Sequence, residues 1–198
     1  MFADSWVDKW VIPNPFVSGL FAALRMANVE LTDFSFNKDA ANIGEIYLNI
    51  SIRALNAAVR IGLDTVTFIV SNPDWSMAPQ LSSVFEAVSE RVRELLQLKP
   101  RSQETTLAFH VTPGTADFRA STALLVNQSL VGDSLFCGIS LHRNDGNLII
   151  DKSLRYEGAA FVRLQRKFPG DATFSDVSSR LYEDEVSALR LLGVTGVV

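Results

Sequence analysis

Few residues in this sequence have both the type and the setting to do chemistry. There are two histidines, His110 and His142, and one cysteine, Cys137. Imidazole is the usual general base near neutral pH. Alternation puts Leu107, Phe109 and Val111 on one side of a strand and His110 on the other, and does the same with Leu135, Cys137, Ile139 and Leu141 against His142. Both histidines are therefore expected to face away from the core. Neither adjoins a nucleophile motif, and two histidines on separate strands without clustered carboxylates do not make a metal site. Cys137, in phase with apolar neighbours, reads as a buried, inert thiol, and a lone cysteine closes no intramolecular disulfide. The sequence has no Gly-x-Ser-x-Gly elbow, phosphate-cradling glycine loop or HExxH helix. No catalytic residue is assigned, and no metal or cofactor is expected.

Charge gives a second set of candidates. The whole chain is mildly acidic, with 18 Lys and Arg against 22 Asp and Glu and a formal charge of -4, so nothing global favours nucleic acid or anionic lipid. Between residues 143 and 167 the balance reverses. Arg143, Lys152, Arg155, Arg163, Arg166 and Lys167 stand against Asp145, Asp151 and Glu157. Arg163, Gln165 and Lys167 share a strand face with Phe161, so Arg155, Arg163, Arg166 and Lys167 are candidates for holding an anion or a nucleic-acid backbone. The competing expectation is structural, with these cations pairing to Asp171, Asp176, Glu183 and Asp184 around the last helix. Glu185 is the one locally inconsistent carboxylate, because it lies on or beside the stripe of Phe174, Val177, Leu181, Ala188 and Leu192. It must be paired, exposed at the edge of the stripe, or shifted in protonation. A rim salt bridge to Arg163 or Arg166 is the favoured reading.

The elements that would position these groups follow from hydrophobic period. Ile46, Leu48, Ile50 and Ile52 alternate with polar residues and mark the clearest strand, with others expected around 29–36 and at 65–70. Leu81, Val84, Phe85, Val88, Val92 and Leu95 recur at three and four and predict an amphipathic helix over 79–96. Further strands are expected at 104–111, 116–126, 134–142, 148–154 and 159–168, with Asn144, Asp145 and Gly146 forming a hairpin turn. A final helix covers about 174–192. A short, almost wholly apolar run at 16–26 predicts a buried N-terminal helix. Ahead of it, residues 1–14 read as an aromatic arm containing Trp6 and Trp10, interrupted by Pro13 next to Pro15. Trp6, Trp10 and Phe16 are the candidate interaction residues.

A chain of 198 residues with 47% hydrophobic and 20% charged residues suits one globular domain, residues 1–198. Runs of strands separated by single helices predict an α+β fold: one curved, mainly antiparallel sheet of seven to eight strands, two long amphipathic helices on one face and a short N-terminal helix. No segment has the length of a membrane span and the N-terminus does not read as a signal peptide, so a cytoplasmic protein without a membrane partner is expected. The leading functional expectation is a non-catalytic binding or interaction module that self-associates or binds another protein through an apolar groove between sheet and helices. The alternatives are a small enzyme or small-molecule receptor with a pocket near the last helix, and an anion-binding or nucleic-acid-binding strand at 155–167. Nucleic acid is the least expected partner.

Overall fold

The computed structural model describes residues 15–37, 46–62, 64–96, 100–113 and 138–194. The chain forms two compact units, Met1–Lys99 and Pro100–Val198. The fold is α+β with antiparallel pairing throughout the described strands.

In the first unit, helix α1 (Pro15–Leu24) precedes β1 (Phe34–Asn37), β2 (Tyr47–Ile52), β3 (Ala57–Ile61) and β4 (Val66–Val70), and α2 (Ala78–Leu96) follows. The four strands form a meander in chain order. Leu48, Ile50 and Ile52 of β2 lie beside Ala57, Val59 and Ile61 of β3, and all six are buried. This face meets α1 through Phe21 against Phe34, at a ring separation of 6.3 Å, and α2 through Phe85 against Phe68, at 4.3 Å. Phe16 of α1 is only 2% exposed. Asp74 starts the turn before α2, its carboxylate accepting the Ser76 N–H at 2.9 Å. Pro79 falls in the first helical turn, where its missing donor does no harm.

The second unit contains β5 (Ser102–Val111), β6 (Ile139–Arg143), β7 (Gly146–Lys152), β8 (Ala160–Pro169) and α3 (Phe174–Leu191). Its strand order is β5-β8-β7-β6. β6 and β7 form a tight hairpin in which Arg143 pairs with Gly146, so Asn144 and Asp145 make the two-residue loop. Thr173 caps α3, accepting the Asp176 N–H at 3.1 Å. At the other end Gly193 takes φ 70° and the Val194 N–H reaches back to the Leu189 carbonyl, a left-handed cap that stops the helix.

Two parts of the expected architecture need correction. The eight described strands make two four-stranded sheets, not one curved sheet of seven to eight. Among the described strands the first sheet ends at β4, after which the chain turns through Asn72 at φ 50° and enters α2, while β5 pairs with β8 of its own unit. The two long helices likewise do not share one sheet face; α2 belongs to the first unit and α3 to the second. The strand β3 was not anticipated. Trp6, Trp10, Cys137 and the strand expected at 116–126 lie outside the described residues.

Candidate ligand-binding face

Strand β8 divides the second unit chemically. Because side chains alternate along a strand, Ala160, Val162, Leu164 and Arg166 point to one face and Phe161, Arg163, Gln165 and Lys167 to the other. The first face is core: Val162 and Leu164 pack with Leu148, Ile150, Ala188 and Leu192, and Leu107, Phe109 and Val111 of β5 join from the side.

Arg166 is the polar exception on that core face, only 7% exposed. Its Nε and Nη2 donate to the two oxygens of Asp184 on α3, at 2.6 and 2.7 Å, and its Nη1 donates to Asp145 in the hairpin loop. The Asp184 hydrogen bonds come first among the causes that hold the guanidinium above even its ordinary range. Arg166 therefore fastens α3 and the β6–β7 hairpin to β8. Its charge is engaged within the fold, and Asp184 and Asp145 are the carboxylates on it. Glu185, the next residue, is half-buried on α3.

The opposite face is organised around His110. The hydroxyl of Ser153, 4% exposed, lies 2.9 Å from His110 Nδ1 and accepts the N–H groups of Arg155 and Tyr156 at 3.1 and 2.9 Å. A hydroxyl offers two lone pairs and one proton. With both lone pairs taken by backbone donors, its proton goes to Nδ1, which leaves neutral His110 protonated on Nε2. The same three bonds hold the 153–158 loop. Tyr156 stands edge-on to the imidazole at 5.1 Å and Phe161 tilts against it at 5.2 Å. Arg155 lies over the Tyr156 ring at 5.4 Å. A buried hydroxyl whose lone pairs are already engaged is a poor nucleophile, so this Ser–His pair is a positioning device.

Register sets the rest of the face. His110, Phe161 and Asp151 form one cross-strand row, Ala108, Arg163 and Ile149 the next, and Thr106, Gln165, Asn147 and His142 a third. No carboxylate among the described residues lies within ion-pair distance of Arg163. The Asn147 Oδ1 is buried and receives no hydrogen bond from the described residues. His142 lies 3.1 Å from the Ser140 hydroxyl, across Asn147 from Gln165.

Of the four cations singled out in sequence, Arg163 and Lys167 share this face, Arg155 sits in the adjoining loop, and Arg166 is on the reverse. The Ser153–His110 contact spans 43 positions and had no sequence signal. Among the described residues no group of three His, Cys, Asp or Glu side chains is placed to hold a metal ion, and no helix is long and apolar enough to cross a membrane. No family model, curated protein or solved structure matches the chain.

Proposed function

We propose that the chain is a non-catalytic binding module whose contact surface is the outer face of the second sheet together with the 153–158 loop. The observation that carries this reading is the loop itself. It holds Leu154 fully exposed and Tyr156 half exposed, on a backbone fixed by Ser153 and His110. Exposed tyrosine beside arginine, on a preorganised segment, matches the anchor residues and rigidity that contact surfaces use, and the exposed leucine adds apolar area to bury. Val162, Leu164, Ala188 and Leu192 share one core between the sheet and α3, so the surface is assigned to the other side.

A fragment screen by amide NMR on the full-length protein tests it. The expected result is that shift changes from unrelated fragments converge on Thr106, His110, Phe161, Arg163 and residues 154–157. Convergence on the outer surface of α3 or on the first unit overturns the reading.

A further inference from the structure

We propose that the corner between the 153–158 loop and strands β5 and β8 binds one oxyanion group, a carboxylate or a phosphate, borne on a small aromatic body. The inference rests on the binding-module reading and names its ligand class.

The two side chains on which the site is built, His110 and Arg163, are donors. Ser153 fixes His110 as an Nε2–H donor, and none of the described residues accepts that proton. Arg163 has no carboxylate partner among the described residues. Arg163 pairs with Ala108 while His110 pairs with Phe161, which makes His110 and Arg163 diagonal neighbours about 7–8 Å apart, a span that long side chains bridge. A ligand group with acceptors only is their complement, and a guanidinium matches a carboxylate or phosphate with two parallel hydrogen bonds. Phe161 adjoins both donors, opposite His110 and two positions before Arg163 on the same strand, and Tyr156 stands against the imidazole. An aromatic body therefore has ring surfaces to pack on.

The surrounding charges set the selectivity. Asp151 is the residue paired with Phe161 on the side away from His110 and is diagonal to Arg163; its Oδ1 accepts the Lys152 N–H at 2.7 Å. It opposes an anion. Arg155, over Tyr156, favours one, and exposed Glu157 opposes one from the loop. Glu104 and Lys167 face each other in register at the far end of the same face and contribute little net charge to this corner.

The chain has two histidines, so full-length protein labelled with 15N-histidine reports the site directly, with His142 as internal reference. The probes are benzoate, phenyl phosphate and the neutral isostere benzamide. Free protein should show His110 as the Nε2–H tautomer. Benzoate or phenyl phosphate should move the His110 nitrogen signals saturably, with a dissociation constant on the order of 1 mM or tighter. The tighter of the two names the group the site takes. Arg163→Gln should weaken binding about tenfold or more, and Asp151→Asn should tighten it about threefold by removing the opposing charge. If Arg163→Gln disturbs folding, as its amide spectrum would reveal, Arg163→Lys and Asp151→Asn carry the test. Equal binding of benzamide, unchanged binding in Arg163→Gln, or no saturable shift with any probe overturns the proposal. Neutral fragments that still converge on this face would leave the binding-module reading standing without it.

Discussion

Arg166 and Asp184 meet through two parallel hydrogen bonds across the boundary between β8 and α3, with both side chains almost fully removed from solvent. A buried pair of this kind adds little over apolar packing of the same volume, but losing one partner strands a charge. Asp184→Ala should lower the stability of the second unit by about 3–5 kcal/mol. Asp145→Asn, at a half-exposed position, should cost about 1 kcal/mol or less. Urea titrations of the two variants check the contrast, and equal losses would remove Asp184 from its central place.

Ser153→Ala removes the acceptor for two backbone N–H groups and the partner of His110. Stranding such groups costs about 1–3 kcal/mol, and here the cost falls on one loop. Amide exchange at Arg155 and Tyr156 should accelerate while exchange in β2 and β3 stays unchanged. Unaltered protection at Tyr156 would mean that the loop is held by something other than this hydroxyl.

Gly146 sits where a Cβ would run into the Gln165 carbonyl on β8, a backbone atom that cannot swing aside. Gly146→Ala should destabilise the second unit by about 1–3 kcal/mol through overpacking. Gly158→Ala meets no neighbour, but its φ of 72° imposes a left-handed strain of about 1–2 kcal/mol. Thermal melts check both losses, and amide spectra should separate the two mechanisms, because filling space next to Gly146 and not Gly158 changes the β7–β8 signals.

Asp74 supplies a pH-dependent signature. Hydrogen bonds from Ser76, the side chain first and then the backbone N–H, hold its carboxyl below the ordinary value. A depressed folded value gives stability that is present above the unfolded carboxylate range, about pH 4, and is lost as pH falls through the lower folded value. The stability difference between parent and Asp74→Ala should therefore be constant near neutrality and shrink in acid. A difference that grew on acidification would reverse the assignment.

Periodicity made β2, α2 and α3 legible, because the apolar residues of each recur at period two or near 3.6. β3 was missed for a local reason: Ala57 and Ala58 have weak strand preference, and the four residues that join it to β2, a 3-10 turn over Arg53–Leu55 ended by Asn56 at φ 47°, include no glycine or proline to mark a turn. Division into two sheets was illegible because apolar alternation tells which face of a strand is buried and not which strand lies beside it. Parity along 160–167 already separates Arg166 from Arg163 and Lys167, so the basic strand was divisible from sequence. Likewise Val177, Leu181, Asp184 and Ala188 step by four, three and four, which puts Asp184 closer to the centre of the stripe than Glu185. The Ser153–His110 contact had no such signal, since it joins a loop to a strand far away in the chain.

The strand orders of the two sheets also imply different histories. Each strand of the first sheet bonds to its neighbour in sequence, and Ile52 pairs with Ala57 across a single turn. In the second sheet β5 lies beside β8, so Ser102 waits for Pro169. Loop-closure entropy grows slowly, by about 0.6 kcal/mol per doubling of loop length, but it precedes the contacts that offset it, which makes non-local pairing the slow step. During synthesis the meander can close as it emerges, whereas β5 leaves the ribosome with its ladder open until β6, β7 and β8 have followed. In that interval the edge of β5 that β8 later covers is left for strands of other chains to pair with.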